Sequence, residues 1–314
     1  AHDSDPFNRW EAGQRLFGEL ILANAARLTR GEAAVWSPGV IDAARAVLLS
    51  DSDPAFIAEA LTLPGEATLA EQMAVVDPEA LHAARNGLLK ALAAGLENEL
   101  CDLYERLGPV GAYQCTTEGA ARRRLRNLCL GYLNELDRPA YRALALLQFK
   151  QADNMTDQFA ALSTLANAPG EEGDQALAAF YERWQHEALV VDKWLAVQAG
   201  SRRADTPDRV ARLTGHPAFD LKNPNKVYSL LRTFGGNHRH FHAADGGGYR
   251  FVAAQIALLD PVNPQVAARL ARCFDRWRKF DDGRQQHARA GLLALRERDG
   301  LSRDTFEVVD RALG

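Results

Sequence analysis

The sequence predicts an all-α fold, a superhelical α-solenoid of antiparallel helix pairs with degenerate HEAT/armadillo-like repeats. Three observations predict it. Apolar residues recur at three- and four-residue spacing along nearly the whole chain, while the alternation of a half-buried strand is almost absent. Proline repeatedly follows a capping residue, as in Ser37-Pro38, Asp53-Pro54, Asp77-Pro78, Thr206-Pro207, Asn223-Pro224 and Asn263-Pro264. A cap side chain accepts from an orphan N–H of the first turn, and proline at the next position has no N–H to leave unsatisfied. Connections between the periodic segments are mostly short, which makes consecutive helices antiparallel neighbours.

In "DPFNRWEAGQRLFGELILANAARL" the residues Trp10, Phe17, Leu20, Ile21 and Leu28 fall on one broad face. A long helical pattern runs from Pro78 to about Arg106. Thr117 is expected to cap "EGAARRRLRNLCLGYLNEL", and "PAYRALALLQFKQA", "TDQFAALSTLAN", "GDQALAAFYERWQ", "LVVDKWLAVQAG" and "PDRVARLTG" continue the series. The last third adds "PNKVYSLLRTF", "YRFVAAQIALL", "PQVAARLARCFDRWRKF", "GRQQHARAGLLALRER" and "RDTFEVVDRAL". A dozen or more helices without strands suit stacked hairpins, with a globular all-α bundle as the competing arrangement. No linker rich in Gly, Ser or Pro divides the chain, so residues 1–314 are expected to form a single all-helical domain.

The composition narrows the function. With 314 residues, 47% of them hydrophobic and 25% charged, the chain has ample material for a core. A net charge of −4 gives no bulk field for nucleic acid or an anionic membrane, so neither is expected as a partner. The densest basic run, Arg122-Arg123-Arg124 with Arg126, sits in a helical pattern, where a solvated face is favoured over a phosphate patch. Cys101, Cys115, Cys129 and Cys273 make no CxxC pair, which fits a reducing compartment. No run approaches the roughly 18 apolar residues of a membrane span, and no signal peptide is read. The chain opens without methionine, so it is expected to be a piece of something longer.

Candidate chemistry is sparse. His186-Glu187 opens the zinc-helix pattern HExxH, which works because two histidines four apart grip the metal from one helix face. Here the fourth position after His186 is Val190, which cannot ligate. In "FGGNHRHFHAADGGGYRF", His238, His240 and His242 alternate between glycine clusters. If helical, His238 and His242 would share a face and His240 would point away. The flanking glycines argue against a helix, and a structural or surface loop is favoured over a metal site. Gly246 to Gly248 let the chain turn into a helix starting near Tyr249. No GxSxG serine or cysteine nucleophile signature is present.

Several blocks together resemble one family. They are "SDPFNRWEAGQRL", "ADNMTDQFAALSTL" (152–165), "FYERWQHEALVVDKWLAVQA" (180–199), "GHPAFDLKNPNKVYSLLRTF" (215–234) and "FHAADGGGYRFVAAQIALLDPVNPQVAARL" (241–270). Their order and spacing are similar to the C-terminal helical domain of bacterial aminopeptidase N, in the gluzincin zinc metallo-aminopeptidases. The match runs from about Asp3 to Leu313. The family's catalysis uses HExxH, a distant glutamate and a GxMEN-type segment, none of which is in this chain. Its two methionines, Met73 and Met155, lie in "EQMAVV" and "DNMTDQ".

The resemblance therefore implies a cytoplasmic peptidase whose zinc belongs to the parent enzyme. This chain itself would carry no cofactor and no catalytic residue. Its partners would be the catalytic domain of the same enzyme and peptide substrates. In the family this domain closes over the catalytic domain and lines the chamber beyond the substrate's first residue. The lining would comprise Gln265, Arg269, Asn263 and Tyr228, the last at a position that is arginine in some relatives. Gln265 and Arg269 are four apart on one helix face, and Arg269 offers five donors to peptide carbonyls or a terminal carboxylate. A surface ion pair is the plain alternative for Arg269. A free-standing helical-repeat scaffold that binds peptides or proteins is the alternative for the chain.

Overall fold

A computed structural model describes residues 5–314. The non-methionine start and Asp3, where the resemblance begins, lie outside the described residues. The chain is helical almost throughout, and β pairing among the described residues is one isolated parallel bridge, Val76 with Phe280. The described residues divide into two compact units, one running to residue 72 and over 79–177, the other of residues 73–78 and 178–314.

Capping chemistry builds the first unit much as the sequence implies. Ser37 accepts from the Gly39 N–H, and Asp53 accepts from those of Ala55 and Phe56, each ahead of a first-turn proline. The opening helix, Pro6–Thr29, buries Phe17 and Ile21 and leaves Trp10, Leu20 and Leu28 half-buried. Past Pro78 the structure departs from expectation. Leu96 (φ −117°, ψ 12°) breaks the long pattern into Pro78–Gly95 and Glu97–Arg106. A Cβ on Gly95 would sit 2.5 Å from Ile41 Cγ2, so glycine there admits the helix Pro38–Leu48 at close range. The following helix, Thr117–Asn134, is capped by Thr116 rather than Thr117, through the Gly119 N–H. A three-residue connection joins Pro139–Gln151 to Met155–Asn167, and the pair pack on each other.

In the second unit Asn223 and Asn263 cap as expected, accepting from Asn225 and Val266. Thr206 does not cap. It is the first residue of Thr206–Leu213, and its buried hydroxyl donates to the Ser201 carbonyl. The capping position falls to Asp205, whose carboxylate is taken by Arg203 and Arg209. The segment read as "PNKVYSLLRTF" is continuous but changes pitch. It runs as Pro224–Val227, a π-helical turn Tyr228–Arg232, then Thr233–Gly235. The stretch read as one helix from Pro264 stops at Ala271 and continues as short 3₁₀ turns, Arg272–Phe274 and Trp277–Lys279. Helices Gly247–Leu259, Asp282–Arg296 and Arg303–Leu313 complete the unit, around a core that includes Phe234, Phe241, Tyr249 and Phe274.

Candidate functional site

The helix Pro264–Ala271 buries Val266, Ala267, Leu270 and Ala271, which leaves Gln265 and Arg269 on the exposed side. Asn263 holds its first turn through the Val266 N–H at 3.2 Å. Arg269 reaches from Nη1 to the Tyr228 hydroxyl at 3.3 Å. The structure thus joins two of the four expected lining residues directly and places the other two on the same short helix and its cap. No carboxylate pairs with Arg269 among the described residues.

Beside this contact lies a cavity of about 590 Å³ walled by Arg232, Arg269, Arg272, Cys273, Asp275 and the glycines 235 and 236. Three guanidinium groups face one carboxylate, and that carboxylate accepts from Arg272 Nε at 3.1 Å. The balance is cationic, suited to peptide carbonyls or a carboxylate end. Burial pushes the Cys273 thiol up to about 11, with Arg232 pulling the other way, so it stays protonated. A Cβ on Gly235 would meet Cys273 Sγ at 2.4 Å, so this glycine lets the two segments close. Arg232, Arg272 and Asp275 escaped the sequence reading. Their positions depend on the π turn and the 3₁₀ turn, which a uniform helical period does not encode.

The histidine segment also differs from expectation. His238–Phe241 forms a single helical turn despite the glycines, and His240 and His242 are buried, at 6% and 4% exposure, rather than on a surface loop. As helical geometry requires, His238 and His242 are neighbours, with ring centroids 5.2 Å apart. His242 stacks on Phe280 at 3.8 Å, meets the Tyr249 hydroxyl at 2.8 Å through Nδ1, and receives Arg284 Nε on its carbonyl at 2.6 Å. Burial, then His238 and Arg284, hold its imidazole well below the ordinary histidine range, hence neutral. His186 and Glu187 sit in an exposed turn before Ala188–Ala199. Among the described residues no three His, Cys, Asp or Glu groups converge as a metal-ligand set. No described helix is long and apolar enough to cross a membrane.

Known proteins resemble the chain over nearly all of its length. It is 38% identical over 99% of its residues to aminopeptidase N of Escherichia coli K12, covering 36% of that protein. It is 37% identical over 98% to aminopeptidase N of Haemophilus influenzae, covering 35%, so it spans about a third of these relatives, as a C-terminal part. A crystal structure of Legionella pneumophila aminopeptidase A in complex with aspartic acid superposes with a TM-score of 0.89 at 32% identity, over 99% of this chain and 37% of that one. The model of one family matches residues 1–314 throughout, and the chain accordingly belongs to the domain of unknown function DUF3458_C, ARM repeats.

Proposed function

We propose that this chain is the C-terminal helical domain of a zinc aminopeptidase that removes N-terminal residues from peptides in the cytoplasm. Its two compact units act together as that domain. The zinc and the catalytic groups belong to the parent enzyme's catalytic domain, on which this chain docks to close the substrate chamber. Gln265, Arg269, Tyr228 and Asn263 line the chamber beyond the substrate's first residue, where Arg269 binds peptide carbonyls or the terminal carboxylate. The observation that carries this reading is the 38% identity to an aminopeptidase N across 99% of the chain. The cationic cavity reached by Arg269 supports the role given to that residue.

The test uses the full-length polypeptide that contains this chain. Arg269→Ala is expected to raise KM for tri- and tetrapeptides several-fold and to leave an aminoacyl p-nitroanilide, which has no second residue, within about twofold. Unchanged kinetics on every peptide length would remove Arg269 from the chamber wall. A full-length reading frame without zinc-binding and amino-terminus-binding segments would remove the peptidase role itself and leave the scaffold alternative.

A further inference from the structure

A second cavity, of about 500 Å³, lies wholly within the unit that holds residues 79–177. One wall is the helix Thr117–Asn134, contributing Arg122, Arg123 and Arg126, and the other is the loop from Leu107 to Gln114. Of the arginine run, only Arg124 is the solvated residue that the sequence suggested. It is exposed and ion-paired with Glu59. The other three are half-buried, and none makes an ion pair among the described residues.

The three arginines share the cavity with the carboxylates of Glu118, Asp153 and Asp157, and Arg123 adds to hydrogen bonds from Asn154 and the Tyr113 N–H in holding the Asp153 carboxyl below its ordinary range. Arg122 and Arg126 are four apart and Arg123 precedes Arg126 by three, spacings at which like charges destabilise a helix. The Nε atoms of Arg123 and Arg126 are buried without a hydrogen-bond partner. Backbone carbonyls offer only long contacts, Arg106 to Arg122 at 3.3 Å and Gln114 to Arg123 at 3.5 Å. Each of two guanidinium groups lies over an aromatic ring, and that of Arg126 also interacts with the Tyr104 hydroxyl. Arg123 lies 4.7 Å from the Tyr113 ring centroid and Arg126 lies 4.3 Å from that of Tyr104. A guanidinium held over a ring keeps N–H groups that can still donate to an acceptor in the cavity.

The carboxylates that share the cavity are engaged or exposed. Asp153 accepts from the Tyr113 N–H at 2.8 Å and from Asn154 at 3.1 Å. Asp157 accepts from Asn127 at 2.9 Å and Asn154 at 3.0 Å, inside a network that extends through Gln148 to the Tyr104 hydroxyl. Glu118 is exposed on the first helical turn. The opposite rim is open, with Val110 at 86% exposure, so a small ligand can enter.

We infer that this cavity binds an oxyanion carried by a small ligand, held by the guanidinium groups of Arg123 and Arg126 with Arg122 beside them. A carboxylate suits the planar forks, and a free phosphate offers the same acceptor chemistry.

The 314-residue chain would be titrated calorimetrically with inorganic phosphate, with N-acetyl-trialanine bearing a free carboxylate, and with its C-terminal amide. Saturable binding of phosphate or of the free carboxylate, with the amide silent, is expected, and whichever probe is tighter identifies the source. Affinity should fall at least tenfold in an Arg123→Gln/Arg126→Gln double variant and stay unchanged in Arg303→Gln, an exposed control. On the unaltered chain the bound probe should slow phenylglyoxal modification of Arg123 and Arg126, read by peptide mass spectrometry, so the result does not depend on the variant folding. No saturable binding by either oxyanion, binding that the double variant retains, or no protection of these arginines overturns the site.

Discussion

Arg269 and Tyr228, 41 residues apart in the chain, meet through a hydrogen bond of 3.3 Å from Nη1 to the phenolic oxygen. The arginine is exposed and the tyrosine half-buried, and an exposed contact at that length contributes little to folding. Arg269→Ala and Tyr228→Phe should each change unfolding free energy by less than about 1 kcal/mol, with a coupling below about 0.5 kcal/mol in a double-mutant cycle. Urea denaturation checks this. A loss of several kcal/mol would make the pair a structural clamp rather than a free wall for a ligand.

Two glycines should respond in opposite directions to alanine. A Cβ on Gly248 would lie 2.4 Å from the Phe241 carbonyl oxygen and 2.5 Å from that of His240, backbone atoms that cannot swing aside. Gly248→Ala is expected to cost about 2–4 kcal/mol, since either the His238–Phe241 turn or the start of the next helix must move. Gly131 lies inside Thr117–Asn134, where an added Cβ would meet nothing within 4 Å, so Gly131→Ala should stabilise by about 0.5–1 kcal/mol. Thermal midpoints that move the same way in both variants would contradict the packing described.

The helices were legible where a local rule sets them. Ser37, Asp53, Asn223 and Asn263 cap because an Asx or Ser side chain before proline has its acceptor beside the first free N–H. Thr206 misled because Asp205, one residue earlier, takes the capping position while Arg203 and Arg209 hold its carboxylate. The break at Leu96 and the π turn at Tyr228 leave no mark on a hydrophobic period, because tertiary packing selects them. His240 was misread as loop for a related reason. The turn that buries it is stabilised by partners from distant segments, Phe280 and Arg284 among them, acting through His242. Of the site, the Gln265 and Arg269 spacing was readable as one helix face, while the cationic cavity needed the register of the π turn and the 3₁₀ turn.

Asp260 anchors the C-terminal helix. Its carboxylate, 2% exposed, accepts from the Ser302 N–H at 2.7 Å, the Ser302 hydroxyl at 2.5 Å and the Thr305 hydroxyl. Asp260→Ala strands these donors around a cavity and should cost about 2–4 kcal/mol. Thr305→Val removes one donor together with its need for a partner, and should cost less. Equal losses in urea denaturation would assign the effect to packing rather than to the hydrogen bonds.

Protonation of His242 should set part of the acid sensitivity. Well above the ordinary histidine pKa of about 6.5 the imidazole is neutral in both folded and unfolded chains and adds no pH dependence. Below that, the unfolded chain takes up a proton that the folded one refuses, because burial, His238 and Arg284 disfavour the cation, and Phe241, Tyr249 and Phe280 pack around the ring. Stability then falls by up to about 1.4 kcal/mol per pH unit until the folded state also protonates. Asp205 acts lower. Burial raises its pKa, but hydrogen bonds from Arg203 and Arg209 outweigh this and hold it at about 2, so its contribution is full above the unfolded value and fades only in strong acid. Between pH 7 and 5 the stability gap between the native chain and His242→Gln should therefore narrow. Parallel curves across that window would show that His242 is not held neutral.

The thiols should separate by burial when the folded chain is alkylated. Cys115 is exposed, whereas Cys129 is fully buried in Thr117–Asn134 and its thiol is pushed up to about 12 by loss of solvation. Thiolate is the reactive form, so at pH 8 Cys129 lacks both the nucleophile and access to the reagent. Cys273 is half-buried on the cavity wall, so its protection rests on a thiol raised to about 11, which leaves little thiolate at that pH. Iodoacetamide labelling followed by peptide mass spectrometry is expected to modify Cys115 within minutes and to leave Cys129 and Cys273 unmodified until urea unfolds the chain. Rapid labelling of Cys273 in the native state would mean that its thiol is not raised by its surroundings, and that the cavity wall around it is more solvated than the packing against Gly235 implies.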